Sequence, residues 1–195
     1  MSRRLMHRHP IAFALSLAAA MAIVAPVRAA LAQHTMDAKS AAFLRQQYLM
    51  DMDSLHAKVM ALATAIPEDK YTWRPQAGVR SVGEVLGHLA GEWYYYLPQS
   101  VAAKPQADYA SPRESLPKLE KIAGKQAMLD ELNKSWTYGR AQLAAADPAT
   151  LTGNYKPWGV SLAQAAFGMT GDQHEHLGQL IAYARANGVK PPWSK

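Results

Sequence analysis

The sequence predicts an all-α protein, a four-helix bundle with a long crossover loop between its second and third helices. Two observations predict it. Four segments of twenty to thirty residues carry apolar side chains at helical spacing, each bounded by capping or breaking residues. The chain also has no sustained alternating run and no nucleotide-binding glycine pattern, which leaves helix-on-helix packing as the way to bury those stripes.

The first helix runs from Asp37 to about Ile66, with Phe43, Tyr48, Leu49, Met52, Leu55, Val59 and Leu62 on its apolar face and no proline before Pro67. Trp73-Arg74-Pro75 and Gly78 then interrupt the pattern and return an aromatic anchor to the core. Ser81 opens the second helix, and Glu84 three residues later completes a capping box. Val82, Val85, Leu86, Leu89, Trp93 and Tyr96 follow, and Pro98 marks the end. From Lys104 to Lys118 the chain is rich in proline, serine and charge without a period, which reads as the crossover loop. The third helix spans about Lys125 to Ala146 and buries Met128, Leu132, Trp136 and Leu143. A loop through Pro148, Gly153, Pro157 and Gly159 leads to a second capping box, Ser161 with Gln164. The fourth helix continues to Ala186 or Asn187, where Gly188 closes it ahead of Pro191 and Pro192.

Residues 1–32 read as a secretory signal peptide. Arg3, Arg4 and Arg8 precede an apolar run from Ile11 to Ala25, and Ala30-Leu31-Ala32 supplies a cleavage site, with Ala29 as the alternative. The expected mature domain is therefore 33–195, in the periplasm or secreted, with no stable membrane insertion once the signal is removed. A retained N-terminal anchor is the competing expectation. The four arginines of this segment account for most of the formal charge of +6. What remains is not clustered with aromatics along one face, so nucleic-acid binding is not expected. With no cysteine there is neither a disulfide, a thiol nucleophile nor a thiolate ligand, and any metal must sit on histidine and carboxylate.

Such residues occur on the fourth helix. Asp172 and His176 are four apart and project from one face on adjacent turns, on the stripe of Leu162, Ala165, Met169, Leu180 and Tyr183. His174 is about 200° of rotation from Asp172 and faces the other way. A buried aspartate beside a histidine needs a neutralising partner; a divalent cation is one, and a simple Asp–His hydrogen bond is the alternative. His88, in the middle of the second helix between Glu84 and Glu92, can supply a third ligand across the bundle. It sits about 110° from the centre of its apolar stripe, which suits a site near a bundle mouth. Its alternative is a surface histidine paired with Glu92. His34 is expected at the new N-terminus and His56, after the core position Leu55, is expected to face solvent.

Trp73-Arg74-Pro75, Gly78-Val79-Arg80-Ser81-Val82-Gly83-Glu84, His88 and His176-Leu177-Gly178-Gln179-Leu180, followed by Tyr183, Arg185, Asn187, Gly188 and Pro191-Pro192, together resemble the DinB-like (YfiT-type) superfamily of four-helix bundles. The resemblance implies a three-histidine site for a divalent ion in a metal-dependent hydrolase or thiol transferase. Two of its ligands carry over to His88 and His176. The remaining ligand position holds Asp172, a departure from the family pattern. Two histidines and a carboxylate suit zinc, nickel, manganese or iron. The departure equally fits a member that has lost its metal, a non-catalytic binding or stress-associated bundle. His174 is an alternative ligand if the helix widens locally. Glu92 is expected as a base or as an orienter of His88, Gln179 as a support, and Tyr94, Tyr95 and Tyr96 as pocket walls. The expected partners are a small-molecule substrate of unknown identity and a second copy in a homodimer. Thiol transfer suits an exported protein less well than hydrolysis, because the low-molecular-weight thiols used by relatives are cytosolic.

Overall fold

A computed structural model of the chain describes residues 36–155 and 160–194. The expected signal segment and cleavage site, and His34, lie outside the described residues. The four long helices fall where apolar periodicity places them. They are α1 (Ala38–Ala65), α2 (Val82–Tyr94), α5 (Lys125–Ala145) and α6 (Leu162–Ala186). Helices α1 and α2 each pack against both α5 and α6, so that α1 and α2 occupy one diagonal of a four-helix bundle. The core runs along its axis through Met52, Leu55, Leu62, Leu86, Leu89, Trp93, Met128, Leu132, Leu143 and Leu180. Among the described residues no helix is long and apolar enough to cross a membrane.

Local chemistry sets the boundaries. The Asp37 carboxylate accepts from the Ser40 N–H and starts α1. Ser81 and Glu84 form both bonds of a capping box at α2, and Arg74 adds an ion pair to Glu84 at 2.9 Å. Ser161 makes the forward half of its box, accepting from the Gln164 N–H at 3.1 Å. At the far end of α6 Gly188 takes φ +73°, and the Val189 N–H reaches back to the Ala184 carbonyl at 2.9 Å.

Three features differ from the sequence reading. Helix α2 stops at Tyr94, one turn before Pro98, because proline has no N–H for the Tyr94 carbonyl and its ring crowds that group. The freed carbonyl accepts from the Gln106 N–H instead, and a separate turn, α3 (Tyr96–Gln99), follows. The crossover is not structureless: α4 (Pro112–Leu119) lies within it and packs against α2. Eight residues with a proline at the start and another inside are too few to show a period. Strands β1 (Asn154–Tyr155) and β2 (Val160–Ser161) form a minimal antiparallel pair ahead of α6, again too short for alternation to register.

Gly87 positions α4. A Cβ there would collide with the Leu119 carbonyl, so only glycine lets the end of α4 settle on α2. That approach delivers Glu120 to the residue beside Gly87, which is His88.

Candidate metal centre

Helices α2 and α6 bring His88, Glu92 and His176 together. One ligating atom from each lies within 4.8 Å of the other two. His88 and Glu92 are four residues apart on α2, and the Glu92 Oε1 sits 3.2 Å from His88 Nε2. The same oxygen is 3.8 Å from His176 Nε2 across the seam, and the two imidazoles meet edge to face at 4.9 Å. Neighbouring ligands on a tetrahedral ion with bonds near 2.0–2.1 Å stand about 3.3 Å apart, so modest rotamer adjustments would close the set.

The outward nitrogens of both histidines also face acceptors. His176 Nδ1 lies 3.3 Å from the Gln179 Oε1, an acceptor that suits the tautomer with its proton on Nδ1, in which the Nε2 lone pair faces Glu92. Gln179 is held in turn by Tyr183, donating from its amide to the tyrosine hydroxyl at 2.9 Å. His88 Nδ1 faces the Glu120 Oε1 at 3.4 Å, a carboxylate that Arg80 anchors at 2.9 Å. The His88 contact is not a formed hydrogen bond, and Nδ1 is a buried polar atom without a partner. A carboxylate or amide behind each imidazole is the arrangement that orients metal-ligating histidines.

The electrostatics agree with the donor set. Burial, and then the Arg80 guanidinium, pull the His88 imidazole below its ordinary value, against the pull of Glu120 and Asp172. Its neutral form, the one that ligates, is therefore favoured. Glu92, only 4% exposed, is pushed well above the usual carboxylate range by burial first and by the neighbouring Asp172 carboxyl second. A buried carboxylate with no cation beside it is costly, and a divalent ion between Glu92 and the two histidines would remove that cost. The residues present thus fit a divalent metal ion.

Asp172 occupies the rim. Its Oδ1 is 3.9 Å from His176 Nε2, and its side chain is 48% exposed. The expected stripe of Leu162, Ala165, Met169, Leu180 and Tyr183 is buried throughout, but between Met169 and Leu180 the buried positions are Gln173 and Leu177 and not Asp172 and His176. The aspartate and histidine lie on its shoulder. A cavity of about 360 Å³ opens beside them, lined by His88, Glu92, Tyr96, Leu116, Gly168, Met169 and Asp172.

His174 points elsewhere and pairs with Asp51 of α1 at 3.1 Å on the surface. Of the three tyrosines only Tyr96 lines this cavity. Tyr95 rests edge-on against it, while the Tyr94 hydroxyl donates to Glu131 at 2.9 Å and its ring stacks on Tyr109. Glu84 serves the α2 cap and not the site. His56 does not face solvent as expected: its ring stacks on Trp136 at 4.7 Å and meets the edge of Trp93. Its Nε2 is buried without a partner, and burial lowers its pKa to about 4.

Two residues of the site escaped the sequence reading. Glu120 is thirty-two positions from His88 and reaches it only because of Gly87. Gln173 is fully buried and donates from its amide to Glu92. Its signal was available, since a polar residue in the middle of an apolar stripe marks a buried polar contact.

No curated protein matches the chain. The model of the DinB superfamily matches residues 51–180, a stretch that includes His88, Glu92, Asp172 and His176. The match covers most of the chain and agrees with the all-α bundle, and the chain belongs to the DinB superfamily.

Proposed function

We propose that this protein binds a divalent metal through His88, Glu92 and His176 and uses it in hydrolysis or group transfer on a small molecule held in the adjoining cavity. The observation that carries the reading is the convergence of three ligating atoms within 4.8 Å beside that cavity of about 360 Å³. A bound divalent ion supplies Lewis acidity that lowers the pKa of a coordinated water or substrate thiol. The protein's own contributions are separate. His88 and His176 present imidazole nitrogens to the site, with the Glu120 carboxylate facing the back of the first and Gln179 the back of the second. Glu92 supplies the buried negative charge. Asp172, at the rim and half-exposed, is placed to take a proton at its Oδ1 or to close on the ion as a fourth ligand. Tyr96, Leu116 and Met169 give the cavity an apolar wall that excludes water from one side.

Export through a secretory signal is part of the same reading and rests on the pattern of residues 1–32. Hydrolysis is favoured over thiol transfer for an exported protein. The alternative is a bundle that binds without catalysis, and it draws on Asp172 standing where the resemblance places a histidine.

Turnover separates the two. The metal-free and metal-reloaded protein should be assayed on panels of esters, amides, phosphoesters and thiol acceptors. Activity that vanishes on chelation and returns with zinc, nickel or manganese supports the enzyme. Stoichiometric metal without turnover on any panel supports the binding protein.

A further inference from the structure

We propose that Gln173 is a positioning residue that turns Glu92 into a metal ligand, and that Trp93 fixes the direction in which Gln173 works. The inference rests on the metal reading above and assigns roles that this reading does not require.

Glu92 has two oxygens and they are used differently. Its Oε1 faces His88 Nε2 at 3.2 Å and His176 Nε2 at 3.8 Å, while its Oε2 accepts from the Gln173 amide. Gln173 therefore holds the far side of the carboxylate and leaves the near oxygen for the site. It is 0% exposed, so no water competes for its amide.

An amide can be turned over, which would put oxygen against oxygen and undo the arrangement. Trp93 prevents this. The indole Nε1–H can only donate, and it donates to the Gln173 Oε1 at 2.6 Å. The carbonyl end of the amide must face the indole, and the NH₂ end must face Glu92. Trp93 is itself immobilised, fully buried with Trp136 at 5.4 Å and His56 at 5.4 Å against its ring. Glu92 and Trp93 are neighbours on α2, so one side chain from α6 bridges two consecutive residues. Gln173 also precedes His176 by three residues and shares its side of α6. The bridge thereby fixes the two halves of the ligand set to each other. Supports of this kind, hydrogen-bonded to a ligating carboxylate, change metal affinity by about 10–100-fold when removed.

The test uses the full mature protein and cobalt(II), whose visible spectrum reports ligand number and geometry. Wild type, Gln173→Met and Trp93→Phe are titrated with cobalt, and the thermal midpoint of each metal-free protein is recorded. Gln173→Met keeps length and volume but removes both hydrogen bonds. It is expected to weaken cobalt binding by about 10–100-fold and to alter the spectrum of the bound ion. Trp93→Phe keeps Gln173 and removes the donor that fixes it together with part of a fully buried ring, and is expected to shift affinity and spectrum in the same direction by less. Should Gln173→Met not fold, Trp93→Phe decides alone. A folded variant that binds cobalt with wild-type affinity and spectrum overturns the inference and leaves the metal site standing. A folded wild type that binds no cobalt, zinc or nickel overturns the metal reading and the inference together.

Discussion

Against α5, helix α2 packs so closely that a Cβ at Gly139 would stand 2.5 Å from the Trp93 carbonyl, and the Trp93 and Trp136 rings close the gap with His56 between helices. Against α6, the same helix presents His88 and Glu92 to Gln173 and His176, where Gln173 donates to one oxygen of Glu92 and His88 Nδ1 is left without a partner. One seam is close-packed and gains its stability from buried aromatic area. The other gives up packing for a buried carboxylate kept from ionising easily and an adjoining cavity, while each seam leaves one imidazole nitrogen without a partner, His56 Nε2 in the first and His88 Nδ1 in the second. Sites are made where a fold leaves polar groups buried and unfinished. The difference teaches that α2–α5 is the structural seam of this bundle and α2–α6 its chemical one.

The comparison breaks most visibly at Trp136. Trp136→Ala is expected to destabilise the protein by about 3–5 kcal/mol in denaturant unfolding, with metal stoichiometry unchanged in the fraction that remains folded. A loss below about 1 kcal/mol would mean that the aromatic seam is not the stabilising one.

Glu92→Gln should act the other way. In the metal-free protein a carboxyl held above its ordinary value of 4.5 favours folding least when ionised, so its cost is absent near pH 4 and grows as the pH rises through the raised value. The amide variant should be more stable than wild type by about 1–3 kcal/mol at pH 7.5, show little difference at pH 4, and lose most metal affinity. Equal stability at both values would remove Glu92 as a strained group.

His56 gives a smaller effect of opposite pH sense. The folded protein keeps this ring neutral down to about pH 4, whereas the unfolded chain takes a proton near 6.5. The unfolded state therefore binds more protons in that window, and stability is lost as pH falls through it. The contribution is about 1–2 kcal/mol, reduced from the full shift because water still reaches part of the ring. His56→Phe preserves the stack and should flatten the slope between pH 6.5 and 4 by that amount in acid-dependent denaturation curves. An unchanged slope would assign it to other groups.

The smallest effect sharpens the contrast between two histidines on one helix. His174 pairs with Asp51 in water, so His174→Ala should cost no more than about 0.5 kcal/mol and leave metal binding intact. Loss of metal in that variant would mean that α6 is set in a different register.

What the sequence disclosed divides along the same seams. Helix ends were legible at Asp37, Ser81 and Gly188 because caps are local chemistry, decided within four residues. Helix α4 was not, because Leu116 and Leu119 are too few to show a period. The break at Tyr94 was hidden in an unbroken apolar run, although Pro98 one turn later contained the reason. In the site, His88 and His176 stood out by residue type and spacing. Asp172 lies at the rim and not on the buried stripe, because the buried position on its turn is the neighbouring Gln173. Glu92 is expected as a base or an orienter of His88, and its Oε1 faces both histidines, 3.2 Å from His88 Nε2 and 3.8 Å from His176 Nε2. Gln173 was passed over as an ordinary polar helix residue, and Glu120 depends on a tertiary approach that no local pattern encodes.

The most direct measurement is elemental analysis by plasma mass spectrometry of the protein, purified without chelator or metal-binding tag, beside a His88→Ala, His176→Ala double variant. The account predicts near-stoichiometric divalent metal in the wild type and none in a double variant that remains folded by circular dichroism. No metal in the wild type, even after incubation with zinc, nickel and manganese, or equal metal in both proteins, would contradict it.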